Sequence, residues 1–201
     1  MKVKREYKTP YESFIGGWYI PKSICNNLIK LFNKNKQLGK THEGLFLRDS
    51  KKIVLKEIKD SEDLCLYPSD DRLEVYSYRK HLQSCLNNYI NKYPDADKMS
   101  KYNVTQNYNI QHYNPGGGYK NWHSERSLII NSTRVLVFMT YLNDVEDGGT
   151  DFKYQKLTSP AQQGLTLIWP SEWTHTHRSQ VSLTKNKYIV TGWFNFIDEN
   201  K

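Results

Sequence analysis

A chain of 201 residues is long enough for one domain with a substantial core, and none of its apolar runs approaches the about 20 residues of a helical membrane span. Hydrophobic residues make up 37% and the mean hydropathy is −0.78, so the 15 tyrosines and 5 tryptophans must supply much of the buried bulk. The net charge of +8 admits a nucleic-acid partner, but the lysines are scattered and only Lys2-Val3-Lys4-Arg5 clusters, the pattern of a solvated surface rather than of a nucleic-acid footprint. The charged start leads into no apolar signal segment, and Cys25, Cys65 and Cys85 lack C-x-x-C spacing. The expectation is a soluble, cytoplasmic protein without a disulfide framework or zinc knuckle.

No repeat, low-complexity segment or Pro/Ser-rich linker divides the chain, which predicts a single domain over residues 1–201. The first hundred residues hold two helical patterns. Pro21 to Lys34 puts Ile24, Leu28, Leu31 and Phe32 on one face, with Pro21 suited to a first helical turn. Asp71 to Tyr93 carries Val75, Leu82, Leu86 and Tyr89 as a stripe, with Asp71 and Glu74 spaced as a capping box. Beyond about residue 100, Val104–Tyr113, Arg134–Leu142, Thr150–Tyr154, Gly164–Trp169 and Lys187–Phe196 are β-branched and aromatic runs. Asn143-Asp144 and Asp147-Gly148-Gly149 read as turns between them. The pattern predicts a mainly β protein with flanking α: a closed or sandwich-like antiparallel sheet over 101–197, with residues 1–100 as a helical support packed outside.

Within the β half, Asn114-Pro-Gly-Gly-Gly-Tyr119 leads into Trp122-His-Ser-Glu125. Residues two apart on a strand share a face, so His123 and Glu125 can reach one ion together. Thr174-His175-Thr176-His177 follows in another extended stretch. Two histidines and one carboxylate, with other positions open, form the ligand set of a non-haem Fe(II) oxygenase. A single histidine is more often a hydrogen-bonded structural residue, so the weight lies on the order: H-x-E, strands, a second histidine, then a basic residue on the final strand. That residue is Lys187, on one face with Ile189, Thr191 and Trp193, where a lysine is costly unless an anion meets it.

These stretches, with Gln111-His-Tyr113, Arg134 through Asn143 and Gly148-Gly-Thr150, resemble the 2-oxoglutarate- and Fe(II)-dependent dioxygenases, nearest to the prolyl 4-hydroxylase-like group, marine bacteriophage members included. The weaker pattern Phe14-Ile-Gly-Gly-Trp-Tyr-Ile-Pro21 extends the resemblance toward the start of the chain. It implies a double-stranded β-helix of the jelly-roll or cupin type, with the dioxygenase core at 101–197. It also implies Fe(II), with 2-oxoglutarate and O2 as cosubstrates and ascorbate as a supporting reductant. By position, His123, Glu125 and His177 become the iron ligands and catalytic residues. His177 is preferred over His175 because Lys187 follows it by the family's interval, which leaves His175 as a neighbour or outer-shell group. Lys187 would meet the distal carboxylate of 2-oxoglutarate. Tyr113 and Tyr141 match tyrosines lining the cosubstrate pocket, core packing being the alternative for both, and Thr150 and Trp193 are further candidates.

One departure stands out: the family's acidic ligand is Asp, and Glu125 is one methylene longer. Related halogenating enzymes lack this carboxylate, so its presence argues for hydroxylation. The implied reaction hydroxylates an amino-acid side chain, prolyl in a peptide or protein first among them, with release of succinate and CO2. A free amino acid or other small molecule is the alternative substrate. A nucleic-acid substrate is disfavoured because no arginine follows Lys187 on the last strand, and a non-catalytic β-barrel module is disfavoured by the triad. The glycine run is expected to bend the chain at the barrel mouth, bringing Tyr119 and Trp122 toward substrate.

Overall fold

The computed structural model describes residues 3–48 and 51–198, so Lys2 of the basic cluster lies outside the described residues. Strand alternation organises what is seen. Arg134–Tyr141 lies between Leu165–Pro170 and Lys187–Phe196, and Tyr108–Tyr113 pairs with the far side of Lys187–Phe196, all antiparallel. On this row, Leu136, Phe138, Ile168, Val190 and Phe194 face one way, whereas Val137, Met139, Tyr141, Leu167, Trp169 and Ile189 face the other. Each face therefore builds a separate core.

The first core lies under two helices, α1 (Lys22–Gln37) and α2 (Leu73–Lys92). Leu28, Leu31 and Phe32 from α1 and Val75, Leu82, Leu86 and Tyr89 from α2 are buried against the sheet. The Tyr78 hydroxyl reaches Thr140 Oγ1 at 3.0 Å, and Thr140 reaches Thr166 at 2.8 Å, so these three hydroxyls are paired within the apolar layer. The second core lies between this large sheet and a three-stranded sheet of Leu157–Ala161, Val145–Phe152 and His177–Ser179. Two antiparallel sheets with an interior between them and helices on one outer face make a double-stranded β-helix.

Several elements differ from the sequence expectation. The first hundred residues are not only helical: among the described residues Glu6–Tyr7, Gly16–Tyr19, His42–Glu43 and Glu62–Leu66 all join the large sheet. These strands are short and their apolar residues do not alternate over a long window, so the periodic helices dominate the reading. Pro21 is the residue before α1, extended at ψ 136°, rather than in its first turn. Arg72 precedes α2 and no side chain caps it, so Asp71 and Glu74 form no capping box; Asp70 instead accepts from the Arg72 main-chain N–H at 3.2 Å. The strand read from Val104 begins at Tyr108, and the one read from Thr150 begins at Val145. Asp147-Gly148-Gly149 is therefore an irregularity inside a strand, where the register to Leu157–Ala161 shifts between Val145 and Thr150, and not a turn. Cys25, Cys65 and Cys85 are free thiols, and no helix of the described residues is long and apolar enough to cross a membrane.

Candidate metal centre

The segment carrying His123 is pinned to the strand carrying His177 by a reciprocal pair of main-chain bonds. His123 N–H donates to the His177 carbonyl at 3.0 Å, and His177 N–H donates back at 2.9 Å. Two residues on, the N–H groups of Glu125 and Arg126 both donate to the Ser171 carbonyl, at 3.1 and 3.0 Å. These bonds bring residues some fifty positions apart to one spot. A ligand atom from each of His123, Glu125 and His177 lies within 4.8 Å of the others, and Glu125 Oε1 is 3.5 Å from His123 Nε2 and 3.6 Å from His177 Nε2.

The imidazoles are oriented by their other nitrogens. His123 Nδ1 donates to the Asn121 carbonyl and His177 Nδ1 to the His175 carbonyl, each at 2.9 Å. A carbonyl can only accept, so each neutral ring carries its proton on Nδ1 and offers an Nε2 lone pair toward Glu125. Burial lowers the His177 pKa and favours that neutral form. Burial alone would raise the Glu125 carboxyl, but His123 and His177, when protonated and holding no metal, donate to it and hold it well below the usual carboxylate range. Tyr119 stacks on the His123 ring at 3.6 Å between centroids, and Trp169 stands edge-on to His177 at 5.1 Å.

The three groups open on a cavity of about 180 Å³ that Lys187, Tyr113, Tyr141, Thr150 and Trp193 also line. Lys187 is 3% exposed, and its Nζ donates to the Gly148 carbonyl at 3.0 Å, the Gln180 carbonyl at 2.8 Å and Ser179 Oγ at 2.5 Å. All three partners are neutral, so burial pulls its pKa down to about 8 against the pull of Asp147. A Cβ at Gly148 would come within 2.6 Å of Val145 Cγ1 and 3.2 Å of Lys187 Cδ, so the bare glycine lets the strand pass close to the ammonium stem. Tyr113 donates to Gln111 Oε1 at 2.6 Å and its ring lies 5.2 Å from Lys187 Nζ. Tyr141 OH bonds Thr150 Oγ1 at 2.6 Å and Ser159 Oγ at 2.9 Å.

The family model of the 2OG-Fe(II) oxygenase superfamily matches residues 108–195, a span that holds every one of these groups. Residues 108–195 are a 2OG-Fe(II) oxygenase domain. Its cofactor is Fe(II), with 2-oxoglutarate and O2 as cosubstrates, and two imidazole nitrogens plus one carboxylate oxygen beside open space fit such an ion. Several solved structures share the oxygenase's fold. The viral collagen prolyl hydroxylase of Paramecium bursaria chlorella virus 1, in its 2-oxoglutarate complex, superposes with a TM-score of 0.67 at 16% identity, over 92% of this chain and 97% of that one. A Pseudomonas putida prolyl 4-hydroxylase gives 0.65 at 13% identity, over 92% and 93%. A prolyl hydroxylase of Trichoplax adhaerens, bound to a peptide fragment of the hypoxia-inducible factor oxygen degradation domain, gives 0.67 at 15% identity, over 88% and 80%. No curated protein matches the oxygenase in sequence.

The remaining residues fall partly as expected: His175 is an outer-shell neighbour and the glycines turn the chain, whereas Trp122 does not reach the cavity. The His175 ring points away from the cavity and bonds the Ser13 carbonyl at 3.0 Å, while its own carbonyl orients His177. Trp122 is absent from the cavity wall and lies under the Arg178 guanidinium at 4.5 Å. The glycine run does turn the chain: Gly116 has φ +84°, and Gly118–Tyr119 pair with Lys59–Asp60. Sequence reasoning missed that wall. Lys59 and Gln111 line the cavity; Lys59 Nζ meets Asp63 Oδ2 at 2.7 Å, and Gln111 donates to the same oxygen at 3.3 Å. The Lys59/Asp63 spacing looks like an ordinary surface pair, and nothing local reveals its burial. Also missed was the second oxygen of Glu125, which accepts from Trp193 Nε1 at 3.0 Å and lies 3.4 Å from Arg134 Nη1.

Proposed function

We propose that the oxygenase hydroxylates an amino-acid side chain, prolyl in a peptide or protein first among them, converting 2-oxoglutarate to succinate and CO2. The observation that carries this reading is the convergence of His123 Nε2, His177 Nε2 and Glu125 Oε1 on one cavity that also holds the buried ammonium of Lys187. His123, Glu125 and His177 would hold Fe(II) and are the catalytic residues. Fe(II), when bound with its cosubstrates, supplies oxidative decarboxylation coupled to attack on a substrate C–H bond. Lys187 would take the distal carboxylate of 2-oxoglutarate, a charge-assisted contact in a nearly dry pocket. Tyr113 and Tyr141 would flank that cosubstrate. Trp169 and Phe152, packed about the His177 ring, keep bulk water from one side of the centre. The prolyl preference is supported by the shared fold with prolyl hydroxylases, one of them holding a peptide.

The test is consumption of 2-oxoglutarate against panels of proline-containing peptides, free amino acids and single-stranded nucleic acids, with product mass read for gain of one oxygen atom. Oxygen gain on prolyl peptides is the expected result. Turnover confined to free amino acids or nucleic acid would replace the prolyl assignment.

A further inference from the structure

An octahedral ion held by three protein atoms keeps three positions open, enough for a chelating 2-oxo acid and O2. A carboxylate, however, can bind through one oxygen or both. Glu has one more rotatable bond than the Asp usual in this position and can more easily turn its second oxygen onto the ion. That turn would close one of the positions the cosubstrates need.

In this chain the second oxygen is already engaged. Glu125 Oε1 faces the two imidazoles at 3.5 and 3.6 Å, whereas Oε2 points away and accepts from Trp193 Nε1 at 3.0 Å, with Arg134 Nη1 at 3.4 Å. An indole N–H can only donate, so it has no role here other than to hold an acceptor. Trp193 is itself clamped: the Arg134 guanidinium lies over its ring at 3.4 Å from the centroid. Arg134 is anchored in turn by donating to the Glu125 carbonyl at 3.0 Å and to Gln106 Oε1 at 3.2 Å. The chain of contacts ends on rigid sheet, because Arg134 and Trp193 lie on the adjacent paired strands Arg134–Tyr141 and Lys187–Phe196.

We propose that Trp193 and Arg134 are positioning residues that confine Glu125 to one-oxygen ligation and so keep the third open position of the metal free. This rests on the assignment of His123, Glu125 and His177 as ligands.

The probe is Mn(II), bound anaerobically without cosubstrate, with its coordinated waters counted by electron paramagnetic resonance in isotopically labelled water. Trp193→Phe keeps a ring and removes the N–H; it should show one fewer metal-bound water than the parent and bind 2-oxoglutarate about 10–100-fold more weakly, the usual scale for loss of an outer-shell partner. Arg134→Met keeps the apolar stem and should shift both readouts the same way by less, its contact being longer. In a Glu125→Asp background, where the carboxylate is too short to reach both donors, Trp193→Phe should change the water count little. An unchanged water count in Trp193→Phe with its thermal midpoint near the parent's overturns the proposal, as does an equal effect in the Glu125 and Asp backgrounds. Failure of the underlying assignment is separate: His177→Ala would then bind Mn(II) as the parent does.

Discussion

Lys187 is a cation 3% exposed whose three neighbours are all neutral. Its pKa, drawn from 10.5 to about 8 by burial, makes two signed expectations. Between pH 8 and 10.5 the unfolded chain holds a proton on this lysine that the fold has released, so this group's destabilising contribution is full below pH 8 and fades as pH rises through that window. A carboxylate set beside the ammonium would raise the pKa again. Binding of 2-oxoglutarate at pH 9 should therefore take up a proton that binding at pH 7 does not, measured by calorimetry in buffers of different ionisation enthalpy, and Lys187→Ala should abolish the uptake. The same variant should raise the apparent constant for 2-oxoglutarate by about two orders of magnitude or more while Fe(II) binding stays intact, since removing one partner of a buried charge pair costs roughly 3–5 kcal/mol; an unchanged constant would sink the cosubstrate assignment. Lys187→Arg should be milder because the charge remains. The two neighbouring histidines separate cleanly. His177→Ala should abolish Fe(II) binding, whereas His175→Ala should keep it and lose roughly 1–3 kcal/mol of stability with the unpaired Ser13 carbonyl, read by denaturant unfolding.

At the scale of elements, the loop after Tyr113 does more than turn. A Cβ at Gly117 would lie 2.7 Å from the Asp60 carbonyl and 2.9 Å from that of Asn114, so Gly117→Ala must push the loop off the Lys59–Asp60 strand. Tyr119, paired to Lys59 and stacked on His123, moves with it. The expected result is weaker Fe(II) binding together with about 1–3 kcal/mol of lost stability; Fe(II) affinity equal to the parent's would show that the stack does not support His123. This loop also marks where sequence reasoning stopped. Glycines at 116–118 signalled a bend and H-x-E signalled a shared ion, because backbone sterics and ligand chemistry each restrict the residue type, although His123 makes only an isolated bridge and Glu125 lies outside any strand. The partner strand Lys59–Asp60 is two residues long and carries no periodic signal. The Trp193–Glu125 bond joins positions 68 residues apart, and only the fold makes that juxtaposition visible. Long helices and the ten-residue strand Lys187–Phe196 were legible for the opposite reason: their periodicity is sampled many times.

Across the whole molecule, the two cores divide the labour. Phe138, buried on the helix side among Tyr108 and Phe194, stays clear of the cavity wall. Phe138→Ala should cost about 3–5 kcal/mol in unfolding and leave Fe(II) and 2-oxoglutarate affinities of the folded fraction unchanged; a loss of affinity at full folding would show that the cores are coupled. The strand running from Lys187 belongs to both interiors at once. Val190, Gly192 and Phe194 look toward the helices, and Lys187, Ile189, Thr191 and Trp193 look into the cavity. Substitution tolerance along it should consequently oscillate with a period of two residues. Val190, Gly192 and Phe194 would register as lost abundance in cells, and Lys187, Thr191 and Trp193 as abundant but inactive protein. A saturation library read separately for expression and turnover would expose that beat, and for a drifting lineage it means that catalytic specificity can be retuned at alternate codons without renegotiating the protein's ability to fold.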